Sequence, residues 1–183
     1  MKKSIIAAVV LVAGAVFTAN AQSKEGQVTV NINLHKFQTL TVNDAQVNID
    51  FKTKEHYENG ATSGEMQNHL TVSSTGSFVV KAKSVVANPN SVTNKTLGGG
   101  GALTVTTKNG SSNTLENATF TNNINLNDSQ TIVSANKGQF NKNVNVEYKA
   151  NSGTFTGMNL INNGYLDNNS NVTTYKVLVT YSI

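Results

Sequence analysis

The chain predicts an all-β fold, an immunoglobulin-like antiparallel β-sandwich of about nine or ten strands. Three observations lead there. Apolar residues recur at every second position along most of the chain, and no segment after the first 22 residues carries an apolar stripe at helical spacing. Turn formers interrupt the alternation at short intervals, led by 28 asparagines and 14 glycines. The alternating segments are short and come at turn-punctuated intervals, about nine or ten in all.

The elements follow in order. Lys2 and Lys3, an apolar run over 5–17 and the small-x-small triplet Ala19-Asn20-Ala21 have the layout of a cleaved export signal, 1–21. The run is shorter than the roughly 20 residues of a spanning helix. The expected mature chain is one domain, 22–183, with no transmembrane segment after cleavage, destined for the periplasm, the cell surface or the extracellular medium. Val28, Val30, Ile32 and Leu34 alternate with Thr29, Asn31 and Asn33, which predicts a half-buried strand. Residues 37–42 (FQTLTV) predict the next one. Val47, Ile49 and Phe51 alternate with Asn48 and Asp50 and predict a third, and the polar stretch 57–65 with Asn59-Gly60 reads as a loop or turn.

Leu70 and Val72 mark a short strand, and Ser74-Thr75-Gly76 a turn. Phe78, Val80 and Ala82 then face one side, Val79, Lys81 and Lys83 the other. The break over 84–101, with Pro89 and the run Gly98-Gly99-Gly100-Gly101, reads as a flexible connection between the two halves of the sheet pair. Leu103 and Val105 open the second half. Asn109-Gly110 signals a hairpin. Leu115, Ala118 and Phe120 predict an irregular strand, continued by Ile124 and Leu126. Ile132 and Val133 precede a turn at Asn136-Lys137-Gly138, and Val144, Val146 and Tyr148 form a clear strand. Residues 158–161 are a short apolar patch before a turn at Asn163-Gly164. In the last segment Tyr175, Val177, Val179, Tyr181 and Ile183 share one face, while Lys176, Leu178, Thr180 and Ser182 share the other.

Composition excludes several functions. With no cysteine there is no disulfide, no thiolate metal site, no haem attached through cysteine and no lipid on an N-terminal cysteine. There is no arginine, the residue best suited to bidentate phosphate and base contacts, and the lysines are scattered along the chain. Losing Lys2 and Lys3 with the leader lowers the formal charge from +4 to about +2. No nucleic-acid partner is expected. The strands are mostly shorter than the 9–11 residues that cross a membrane as a barrel, and no fixed repeat signals a solenoid. Triplets such as Asn117-Ala118-Thr119 match the glycosylation pattern as a consequence of abundant Asn and Thr.

No catalytic, cofactor or metal residue is assigned, and no enzyme activity or cofactor is expected. There is no Gly-x-Ser-x-Gly elbow, and the glycine run lacks the Lys-Ser/Thr of a phosphate loop. His35 reads as a solvated strand-end residue. His56 and His69 flank Glu55, Glu58 and Glu65, but their spacing matches no zinc signature. Asp167-Asn168-Asn169-Ser170-Asn171 begins like a calcium loop, then has Val172 where glycine and Leu178 where glutamate belong. Phe51, Phe78 and Phe120 fit a core. Tyr57 and Tyr165 lie in loops and are the residues through which a glycan would be held.

The chain ends carry the functional signal. Both are strongly alternating, and an edge strand offers unpaired backbone groups to another chain. Ala19-Asn20-Ala21-Gln22, followed by GQVTVNINLHKFQTLTV and closing on YKVLVTYSI, resembles small secreted β-sandwich proteins of Bacteroidota and, more weakly, cysteine-free pilin subunits of the chaperone–usher type. Departures from the pilin pattern are Tyr181, third from the end where a penultimate aromatic is usual, and Gly164, too early for the glycine that opens the last strand. The resemblance implies a structural or adhesive surface protein, such as a fimbrial subunit that assembles by strand addition. Val28, Val30, Ile32 and Leu34 would fill a partner's groove, and Tyr175, Val177, Val179 and Tyr181 would border the receiving one. The partners are then further copies of the chain or other surface subunits. A secreted module binding a glycan or another surface polymer is the alternative.

Overall fold

A computed structural model describes residues 26–87, 103–152 and 176–183. The chain divides into two units, Met1–Leu34 and His35–Ile183. In the first unit, residues 26–34 form no strand, and Val28, Val30, Ile32 and Leu34 are 74–90% exposed. The half-buried strand expected there is therefore absent. Alternation sets which side chains share a face, but a strand exists only where a ladder partner accepts its backbone.

Among the described residues, the second unit holds ten strands and one short helix. They are β1 (Gln38–Val42), α1 (Lys54–Asn59), β2 (Ala61–Thr62), β3 (Met66–Ser74), β4 (Phe78–Ala87), β5 (Leu103–Asn109), β6 (Ala118–Phe120), β7 (Ile124–Asn125), β8 (Gln130–Ala135), β9 (Gln139–Ala150) and β10 (Lys176–Ser182). A six-stranded sheet has the order β1-β3-β9-β5-β7, with β2 also on β9; a four-stranded sheet has the order β10-β4-β8-β6. Every paired strand is antiparallel. The expected all-β sandwich is what forms.

From β3 onward, successive strands alternate between the two sheets. Each inward row therefore meets the row from its neighbour in sequence. Leu70, Val72, Val105, Val144 and Val146 from one sheet and Val80, Ile132 and Val133 from the other are all fully buried in one cluster. Burial of each contributes about 1.5–3 kcal/mol. Leu115 and Leu126, outside any strand, complete it. Of the three phenylalanines expected in the core, Phe78 is buried, and Phe51 and Phe120 are half-buried.

Several local expectations are corrected. Asn109-Gly110 makes no tight hairpin. The Asn109 side chain holds Leu115 through both N (2.7 Å) and O (2.8 Å), and the chain passes beside β9, with Gly110 N donating to Asn143 O (3.0 Å), before entering β6 in the other sheet. A Cβ at Gly110 would lie 2.6 Å from Asn143 O, which is why only glycine fits. The loop expected over 57–65 begins inside α1. Thr53 caps that helix by accepting from His56 N (3.3 Å), and six residues are too few to show a helical stripe. The strand expected at Val47, Ile49 and Phe51 does not form: Val47 and Ile49 pack on the core, yet the segment joins neither sheet.

The asparagines do more than form turns. Asn68, Asn113, Asn117, Asn123 and Asn141 all adopt positive φ, the region asparagine tolerates best after glycine. Asn68 and Asn141 sit in the two register shifts of the β3–β9 pair. Each shift is closed by a side chain from the opposite strand. Asn145 Oδ1 accepts from Asn68 N (2.7 Å), and Ser73 Oγ accepts from Asn141 N (2.9 Å).

Candidate functional site

No catalytic constellation is gathered among the described residues, and no group of three or more His, Asp or Glu lies close enough to hold a metal ion. His56 Nδ1 accepts from Lys52 N at the start of α1 (3.2 Å), whereas His69 is buried in β3, so the two histidines do not meet. His35 is exposed, and Tyr57 is half-buried with its ring tilted against Phe51 at 5.4 Å. Tyr165, the 167–171 stretch, the glycine run, 158–164 and Tyr175 lie outside the described residues, as does the export signal.

Among the described residues, the four-stranded sheet has β10 at one edge. Strand β10 ends the four-stranded sheet and pairs only with β4, from Lys176↔Ala87 to Ser182↔Lys81. Among the described residues its other edge has no partner. Val177, Val179 and Tyr181 point inward and pack against the core, but they are only half-buried. The equivalent inward residues of the interior strand β9, Val144 and Val146, are fully buried. A strand laid against the free edge of β10 would supply the missing cover and the missing hydrogen bonds.

Strand β10 is held to the opposite sheet by a chain of four polar side chains. Asp44 Oδ2 lies 3.3 Å from His69 Nδ1, His69 Nε2 lies 2.9 Å from the Tyr148 hydroxyl, and the Tyr148 hydroxyl bonds to that of Tyr181. The rings of Tyr148 and Tyr181 meet His69 edge-on, at 5.7 and 6.3 Å. Burial pushes the Tyr148 hydroxyl up to about 12, against a smaller opposing effect of the Tyr181 hydrogen bond. Burial, and then Tyr148, raise Tyr181 as well. Both hydroxyls stay protonated near neutrality. His69 is closed off at 1% exposure and the four side chains work as a tie through the core, with the Asp44 carboxylate exposed at its outer end. The residues come from four separate segments and no spacing announces them. The one sequence signal is that Tyr148 and Tyr181 both occupy inward positions, where a buried hydroxyl needs a partner.

Searches against family models, curated proteins and solved structures return no match for this chain.

Proposed function

We propose that this protein is an exported, non-enzymatic structural subunit that joins copies of itself by strand addition, as in a fimbrial or adhesive surface assembly. The observation that carries the reading is the fate of one alternating pattern at two places. Val28, Val30, Ile32 and Leu34 are exposed and outside any sheet, while among the described residues β10 has an unpaired edge with its inward side chains half-covered. The stretch 28–34 and β10 are each seven residues long, so the two match along their whole length.

In the assembled state, residues 28–34 of one copy lie along β10 of the next. The four apolar side chains turn inward beside Val177, Val179 and Tyr181, and Thr29, Asn31 and Asn33 turn to water. Burying each apolar side chain contributes about 1.5–3 kcal/mol. Ordering each residue costs about 1–2 kcal/mol. These terms nearly cancel, so the ladder hydrogen bonds along β10 decide whether the joint holds. Sedimentation velocity tests the reading. The chain is expected to form concentration-dependent oligomers, and Val30→Asp/Ile32→Asp to leave only monomer of unchanged thermal stability. A wild-type chain that stays monomeric at millimolar concentration overturns it.

A further inference from the structure

The two sheets carry charge differently. The strands of the four-stranded sheet hold Lys81, Lys83 and Lys176 and no carboxylate. All three lysines are exposed on its outer face, and among the described residues none makes an ion pair. Elsewhere Lys52, Lys54, Lys108 and Lys137 are paired, the last two with Glu65 and Glu116 at 2.7 Å, while Lys142 and Lys149 on β9 are not. Lysines often guard sheet edges. That explanation serves Lys176 on β10 but not Lys81 and Lys83, which lie on an interior strand. Their cross-strand neighbours, Ser182, Thr131 and Thr180, are neutral.

At one end of this face is an open cleft of about 600 Å³, within the usual size of a ligand site. Lys36 and Lys81 line it together with Gln38, Ser134, Asn136 and Ser182, and no Asp or Glu does. Two ammonium groups attract an anion, and the hydroxyls and amides around them match sugar hydroxyls. Lysine acts here as a point charge that takes either carboxylate or phosphate, and it is the hydroxyls and amides around it that favour a carboxylated sugar. Leu178 and Val85, paired across the strands and exposed, lie between Lys83 and Lys176 on the same face.

We propose that the outer face of the four-stranded sheet binds an acidic polysaccharide. One carboxylated sugar enters the cleft between Lys36 and Lys81, and the polymer continues past Lys83 toward Lys176. Lys81 and Lys83, two residues apart on one strand, hold charges about 7 Å apart. The surface adjoins the edge used in strand addition, since Ser182 of β10 lines the cleft and Lys176 stands on that strand, so the test employs the full chain carrying Val30→Asp/Ile32→Asp, which isolates polymer binding from assembly.

Titration calorimetry with polygalacturonate, neutral dextran and polyphosphate decides it. Polygalacturonate is expected to bind, dextran not to bind, and polyphosphate to bind more weakly at equal charge. Lys81→Gln/Lys83→Gln is expected to weaken polygalacturonate binding roughly tenfold, each exposed ion pair being worth up to about fivefold. Lys52→Gln/Lys54→Gln, the same charge change away from this sheet, should leave it intact. Equal loss from both double variants, equal binding to polyphosphate, or no binding to polygalacturonate would each overturn the proposal.

Discussion

Strands β9 and β10 carry the same kind of sequence, NVNVEY and KVLVTY, and meet different fates. In β9, which lies between β3 and β5, Val144 and Val146 are wholly buried. In β10, which among the described residues has β4 on one side only, Val177, Val179 and Tyr181 are half-covered. Residues 28–34 repeat the pattern a third time with no strand partner at all. Alternation dictates which face turns inward. The number of neighbouring strands dictates how much of that face leaves water, and with it how much stability and how much reactivity toward other chains a strand contributes.

The largest expected effect separates interior from edge. Leu70→Ala in β3 should lower unfolding free energy by about 3 kcal/mol, through lost transfer energy and a residual cavity. Val179→Ala in β10 should cost about 1 kcal/mol, because only part of its surface leaves water on folding. Denaturant melts of both variants check this, and equal losses would erase the distinction between the two strands.

Alkaline pH probes the tie that fastens the edge. The Tyr148 hydroxyl ionises near 12 in the folded chain and near 10 once unfolded, so the unfolded state releases its proton first. The contribution is complete below pH 10 and is lost as pH rises toward 12, by about 2 kcal/mol. Stability measured across pH 8–12 should show that fall, Tyr148→Phe should lessen it, and Tyr148→Phe/Tyr181→Phe should flatten it. Tyr181→Phe should cost the least, about 1 kcal/mol, since Tyr148 keeps its bond to His69. Its mark should be faster amide exchange in β10 with little change in β9.

Much of the sandwich was legible in the sequence. The strands around Leu40, Val80, Val105, Val146 and Val179 are plain from period two alone, because each packs on one shared core. What escaped has physical causes. The register shifts at Asn68 and Asn141 break the parity on β3 and β9, so His69 and Leu70 are both buried although adjacent. Residues 46–50 alternate as a strand does but have no place in either sheet. Helix α1 rests on the Thr53 cap and one turn of backbone, below the length at which a stripe shows. The lysines looked scattered because Lys176 is distant in sequence from Lys81 and Lys83, and only the β4–β10 register brings it onto their face. The edge itself could be suspected from the terminal position of β10, but its free side is a property of the sheet order.

The most direct test of strand addition is hydrogen–deuterium exchange of the full chain as a function of concentration. Protection should rise with concentration in β10 and residues 26–34 together, stay constant in β9, and vanish in Val30→Asp/Ile32→Asp. Exchange in β10 that is indifferent both to concentration and to that substitution would contradict the account.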